Sequence, residues 1–249
     1  MVQTQVRQEA LDIDALQEKY AEKSPMQILE FALGQFENIA ISFSGAEDVV
    51  LIDMAAQIRD DLKVFTIDTG RLHKETYKFL DKVRDKYDLE LEVLFPDTQK
   101  VEALVREKGM FSFYKDGHKE CCAIRKVDSL RRKLANVDAW ITGQRKDQSP
   151  DTRASIPVIQ LDTAFSTEEN SLVKFNPLAN WSSAQVWKYI RFNKVPYNQL
   201  HQKGFVSIGC EPCTIAVLPG QHEREGRWWW ENSADKECGF HSINSEDAD

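Results

Sequence analysis

The feature that most constrains this chain is an alternation. Short apolar runs are each closed by a glycine-bearing turn and followed by residues at helical hydrophobic spacing. Ile39–Phe43 closes on Ser44-Gly45 and is followed by Val50, Ala55 and Ile58. Leu62–Ile67 closes on Asp68-Thr69-Gly70 and is followed by Thr76, Phe79, Val83 and Tyr87. Glu90–Phe95 reads as a third strand, and Ala139–Thr142, ending at Gly143, as a fourth. Such repetition predicts βαβ units in an α/β fold, a mostly parallel twisted sheet flanked by helices. Ligands of these sheets sit beyond the carboxyl ends of the strands. The loops Ser42–Asp48, Asp68–His73 and Gly143–Arg153 should therefore line one cleft.

The flanking segments are punctuated as helices. Residues from about Val6 to Tyr20 read as a loosely amphipathic helix. Ser24, Pro25 and Gln27 form a capping-box signature ahead of Met26, Leu29, Leu33 and Phe36, and Ser182–Phe192 reads as a late helix. No repeat or linker divides the chain, so a single domain is expected over 1–231. The polar, glycine-interrupted segment 232–249 is expected to be mobile.

Among 249 residues the net charge is −8, which argues against nonspecific affinity for nucleic acid or anionic membranes. No apolar run approaches the roughly 18 residues of a membrane span, and Met1 to Asp14 lacks the apolar core of a secretory signal. A cytoplasmic protein is expected, with no nucleic-acid or membrane partner.

Ser42-Phe43-Ser44-Gly45 lies between a strand and a helix, where unpaired N–H groups and a partial positive charge welcome an oxyanion. A tight turn with capping serines explains the segment equally well. No Walker loop or GxGxxG is present. The segment resembles the pyrophosphate loop of ATP pyrophosphatases, but Ala46 replaces the second glycine and Val49 the final serine. That favours a nucleotide with a single α-phosphate.

The five cysteines are an adjacent pair, Cys121-Cys122, a CxxC, Cys210 and Cys213, and Cys238 alone. Adjacent side chains diverge, which suits the separate iron corners of a four-iron cluster better than one zinc ion. A four-thiolate zinc site remains the alternative. The pair precedes Ile124, Val127, Leu130 and Leu134, so it should cap a helix at its N-terminus, with Arg125 and Lys126 in the first turn. Arg145 to Arg153, Arg224 and Arg227 add cations that read either as oxyanion ligands or as solvated loop charge. Trp228-Trp229-Trp230 reads as packing or an oligomer contact. Cys238 has no cysteine neighbour, which makes it the candidate nucleophile. His241 could serve as its base or have no role.

Read together, Ser42 to Asp48, Asp68-Thr69-Gly70-Arg71, Glu120-Cys121-Cys122 with Arg125-Lys126, Thr142 to Arg145, Lys174 to Leu178, Ser207 to Cys213 and Glu237-Cys238-Gly239 resemble the bacterial adenylyl-sulfate reductases of the phosphoadenylyl-sulfate reductase family. The match runs in order and at family spacing from about Ser24 to His241. It implies an adenine-nucleotide α-hydrolase-like fold, a [4Fe–4S] cluster on Cys121, Cys122, Cys210 and Cys213, and thioredoxin as reductant. It further implies Cys238 as nucleophile, with Lys126, Arg224 and Arg227 stabilising charge. Substrate contacts are expected from Ser42, Ser44, Gly45, Asp48, Asp68, Thr69, Gly70, Gly143, Arg145 and Arg153, in a homo-oligomer. The alternatives are a 3′-phosphoadenylyl-sulfate reductase, an ATP-dependent sulfur-transfer enzyme of the same fold, and a non-catalytic iron–sulfur or zinc regulator.

Overall fold

A computed structural model describes residues 11–149, 152–168 and 170–232. The expected segment 232–249, with Cys238 and His241, thus lies outside the described residues except for its first position, as do residues 6–10 of the first expected helix.

Helix α1 (Ile13–Tyr20) and helix α2 (Pro25–Gln35) open the described chain. The capping box of α2 forms as read: Ser24 Oγ accepts from Gln27 N, and the Gln27 side chain accepts from Ser24 N. The alternation then unfolds as β1 (Ile39–Ser42), α3 (Ala46–Ala55), β2 (Val64–Ile67), α4 (Lys74–Tyr87) and β3 (Leu91–Leu94). Helix α5 (Thr98–Lys108) was not expected, because only Leu104 of it is buried and no apolar stripe marks it. The four-residue helices α6 (Phe113–Asp116) and α7 (Lys119–Cys122) follow, then a π-helical turn over Ala123–Val127 and α8 (Asp128–Leu134).

The sheet ends with β4 (Ala139–Ile141) and two strands the sequence reading missed, β5 (Ile159–Leu161) and β6 (Val173–Phe175). Each of these two has a polar residue at its centre, Gln160 and Lys174, so unlike β4 neither forms a continuous apolar run. Helix α9 (Ser183–Phe192) is the expected late helix, with Ser182 outside it as its cap, Ser182 Oγ accepting from Gln185 N.

The order β3-β2-β1-β4-β6-β5 is parallel throughout except for the antiparallel pair β5 and β6. From β1 the chain winds outward to β2 and β3; at β4 it resumes on the opposite side of β1. The strand order thus reverses between β1 and β4, and the loops there part to leave a crevice. Helix α3 packs on α2 and α9. It is buried on nearly every side, with Val49, Val50, Leu51, Ile52 and Ala55 all at 0% exposure. This holds its N-terminus rigidly at the crevice.

Candidate active site

The loop after β1 is organised by one carboxylate. Asp48, in the first turn of α3, accepts from Ser44 N at 2.8 Å, Ser44 Oγ at 2.9 Å and Gly45 N at 2.8 Å. Its other oxygen accepts from Gly143 N, after β4, at 2.9 Å. Asp48 was expected to contact substrate. It lines the cavity beside Ser42, Ser44 and Gly45, and its carboxylate ties the two loops across the switch point. Burial pushes its carboxyl up to about 6, with the Glu47 charge adding to the shift and hydrogen bonds from Ser44 and Gly45 opposing it. Gly143 is required by space, since a Cβ there would lie 2.6 Å from Glu47 Cβ and 2.7 Å from Asp48 Oδ1.

Arg145 also departs from expectation. It is 1% exposed, and its guanidinium is held by carboxylates rather than turned to the cavity. Nη2 donates to Glu47 Oε1 and Glu223 Oε2, each at 2.9 Å, and Nη1 donates to Asp147 Oδ2 at 3.3 Å. Burial alone would raise the Glu47 carboxyl, but the Arg145 charge and hydrogen bonds from its own backbone, Arg145 and Gln148 hold it below the usual range. Arg153 is buried beside this cluster, lines the cavity, and donates from Nη1 to Gln148 Oε1 at 2.5 Å.

The loop after β2 forms a partition. Asp68 Oδ1 accepts from Gly70 N at 2.7 Å and Tyr77 OH at 3.0 Å, so Asp68 shapes the turn, and Gly70 takes φ +71° there. Tyr77 is pushed up to about 12 by burial and by this hydrogen bond. Thr69 lines the cavity on one side. On the other its hydroxyl meets Cys210 Sγ at 3.1 Å, and its carbonyl accepts from Arg125 Nη1 at 2.8 Å.

Behind the partition, Cys121, Cys122, Cys210 and Cys213 line one small cavity with Arg71, Arg125 and Trp228. Cys122, Cys210 and Cys213 are buried and Cys121 is partly so. The pair does not cap the helix as expected. His118 holds the cap position, and the cysteines end α7, where the π-helical turn re-phases the chain before Leu130 and Leu134 bury. An i→i+5 turn of this kind recurs at functional sites.

Burial pushes the Cys121 thiol up, and burial together with Cys210 pushes Cys213 up to about 12. Among the described residues no three ligand-type side chains converge as the ligands of a single ion would. The four thiols line one cavity, the donor set that either a four-iron cluster or a four-thiolate zinc site requires.

Trp228 is fully buried at φ +40°, a left-handed conformation that costs a bulky residue on the order of 1–3 kcal/mol. Its ring stacks on His118 at 4.0 Å, and the Arg227 guanidinium carbon lies 4.4 Å from its centroid. His118 in turn is fastened by Glu231 through its backbone N–H, 2.8 Å, and Nδ1, 2.5 Å. Arg227 packs so closely on Gly209 that a Cβ there would overlap the guanidinium. Its Nε has no hydrogen-bond partner among the described residues.

The main cavity, about 200 Å³, runs from Ser42, Ser44 and Gly45 to Lys126, Arg224 and Arg227. Lys126 and Cys210 line both it and the cysteine cavity. Thr76, Asn198 and His201 also line it and escaped the sequence reading. Asn198 is tied to α4 by Nδ2 donating to Thr76 Oγ1 at 3.1 Å. Nothing local marked them for the cleft: Thr76 reads as a core position of α4, and the segment carrying Asn198 and His201 reaches the cleft only in the folded chain.

The phosphoadenosine phosphosulfate reductase domain family matches residues 38–216. The chain is 58% identical over 234 residues to the adenosine 5′-phosphosulfate reductase of Pseudomonas aeruginosa (strain LESB58), covering 94% of this chain and 88% of that one. It is 54% identical to 5′-adenylylsulfate reductase 1, chloroplastic, of Arabidopsis thaliana, covering 95% of this chain and 53% of the plant protein. The crystal structure of phosphoadenylyl-sulfate (PAPS) reductase from Candida auris, a phosphate complex, superposes with a TM-score of 0.69 at 29% identity. It covers 84% of this chain and 99% of that one.

Proposed function

This chain is an oxidoreductase belonging to the phosphoadenosine phosphosulfate reductase family, and we propose that it reduces adenylyl sulfate to sulfite and AMP in sulfate assimilation, with Cys238 as nucleophile and thioredoxin as electron donor. The observation that carries the reading is the shared wall: Lys126 and Cys210 border both the phosphate-loop cavity and the cysteine cavity. An anhydride with its α-phosphate at the loop would extend its sulfate toward that wall.

The α-phosphate meets the N-terminus of α3, where the N–H groups of the first turn and the Ser42 hydroxyl can donate to it; the Ser44 hydroxyl is taken up by Asp48. Asp48 holds Ser44, Gly45 and Gly143 in place around the phosphate. The Cys238 thiolate attacks the sulfate sulfur. The S–O bond to the phosphate breaks, AMP leaves with that electron pair, and Cys238 carries an S-sulfonate. Attack of one anion on another requires charge compensation. Lys126, Arg224 and Arg227 stand along the cavity to supply it.

Cys121, Cys122, Cys210 and Cys213 would hold a [4Fe–4S] cluster. When bound, it supplies a charged inorganic core that tunes the electrostatics of the shared wall. Thr69 Oγ1 and Arg125 link that wall to the substrate loop. The two electrons that release sulfite come from the dithiol.

Sulfite release from adenylyl sulfate with reduced thioredoxin tests the reading. Turnover with substrate and reductant together, and neither alone, is expected; no sulfite under these conditions would sink it.

A further inference from the structure

Exposed apolar side chains are ordinarily scattered, but four gather outside the cysteine cavity. Met110, Phe111, Tyr114 and Trp229 are 55%, 59%, 40% and 49% exposed. The three rings form one surface: Phe111 stacks on Tyr114 with centroids 6.1 Å apart, and Tyr114 lies 6.2 Å from Trp229. The face is firmly footed. Tyr114 OH donates to Pro212 O, inside the CxxC turn, at 2.8 Å. Phe113 and Trp230 pack behind it, with centroids 5.7 Å apart, against the cysteines. The Arg71 guanidinium lies 5.8 Å from the Phe111 centroid and 5.1 Å from that of Phe113.

Covalent connectivity ties this face to the nucleophile. Cys238 follows Trp229 by nine residues, so an extended chain carries it no more than roughly 30 Å away. Any protein that attacks the Cys238 sulfur must come within that radius. Four side chains fall far short of the roughly 20–30 residues per side of a standard stable interface, and suit a transient redox encounter.

We propose that Met110, Phe111, Tyr114 and Trp229 form the docking surface for the protein dithiol that reduces Cys238, an inference that rests on the function proposed above. The partner is a small dithiol protein with apolar surface around its exposed thiol. Its thiolate attacks the Cys238 sulfur, a disulfide forms between partner and Cys238, and the bond to the sulfonate breaks with its electron pair leaving as sulfite. The partner's second thiolate then attacks its own first sulfur and frees Cys238 as a thiolate. Both electrons come from the partner, which departs as a disulfide.

The test uses Phe111→Ser and Trp229→Ser, singly and together, in the full-length holoprotein. Three quantities are read: AMP released per chain without reductant, turnover with reduced thioredoxin, and turnover with dithiothreitol. The AMP burst and the dithiothreitol rate should match wild type, while kcat/KM for thioredoxin falls at least roughly ten-fold. A normal burst with unchanged thioredoxin kinetics overturns the docking surface and leaves the function standing. A wild-type protein without a burst overturns the function, and this inference with it. A burst lost only in the variants would mean that the face seats residues 233–249. Altered sedimentation with unchanged thioredoxin kinetics would mean that it seats a second copy. Either outcome overturns the proposal.

Discussion

Asp48 Oδ1 accepts a hydrogen bond from Gly143 N at 2.9 Å, joining the loop after β1 to the loop after β4 across 95 residues of sequence. The bond spans the point where the strand order reverses, so one carboxylate holds the crevice at a fixed width. Its other oxygen orders Ser44 and Gly45, so the same group fixes the phosphate loop.

This makes the loop pH-sensitive. The Asp48 carboxyl in the folded protein, near 6, stands above its ordinary 3.8. The folded state therefore binds the proton more tightly than the unfolded state in that window. Its contribution to stability is complete below about pH 4 and is lost as pH rises through 6, by up to roughly 3 kcal/mol. AMP affinity should run the other way, because the N–H groups need an ionised acceptor. Urea unfolding and AMP titration at pH 5 and 7 should show these opposite slopes in wild type and lose both in Asp48→Asn.

Gly143→Ala should destabilise by about 1–3 kcal/mol, the cost typical of overpacking, because its Cβ would meet Glu47, Asp48 Oδ1 and the Asp48 backbone N. Thermal unfolding measures the loss. A variant as stable as wild type with unaltered AMP binding would show that the loops separate easily.

Arg145 and Lys126 should fail in different ways. Arg145→Met leaves Glu47 and Glu223 without their cation, and breaking a buried pair costs about 3–5 kcal/mol. Circular dichroism should register that loss in stability. Lys126→Ala should keep the melting temperature within a few degrees. It should lower kcat/KM for sulfite formation by roughly 10²–10³, as removal of one charge-stabilising group does.

The cysteines divide into two classes. Serine at Cys121, Cys122, Cys210 or Cys213 should abolish iron and acid-labile sulfide together with activity. Cys238→Ser should retain both and bind AMP, yet form no S-sulfonate. Intact-protein mass spectrometry after mixing with adenylyl sulfate, without reductant, decides it. An adduct on any other cysteine contradicts the assignment.

Substrate choice gives the last comparison. Catalytic efficiency with adenylyl sulfate should far exceed that with its 3′-phosphorylated form. Equal or reversed efficiencies would place the chain with the other branch of the family.

Much of this molecule is written locally. Ile39–Phe43 and Leu62–Ile67 announce strands because their apolar side chains bury regardless of what surrounds them. The cap at Ser24 is legible because a capping box closes within four residues. The cysteine pattern pointed to one site before any fold was known, and the structure gathers those four side chains around one cavity. Strands β5 and β6 stayed hidden because Gln160 and Lys174 interrupt their short apolar runs, and α5 because it buries one side chain.

What sequence could not decide was where a polar group is aimed. Arg145 reads as a free cation in a glycine-bounded loop, yet Glu47, 98 residues earlier, and Glu223, 78 residues later, enclose it. Asp48 reads as a ligand of the substrate, yet Gly143 and its own loop occupy it. Trp228 reads as packing or an oligomer contact, and the structure buries it between His118 and Arg227 with a left-handed backbone. Local spacing records which side chains must leave water. The partner of a charge or a donor is chosen by loops that meet at the switch point, and they meet only once the sheet has formed.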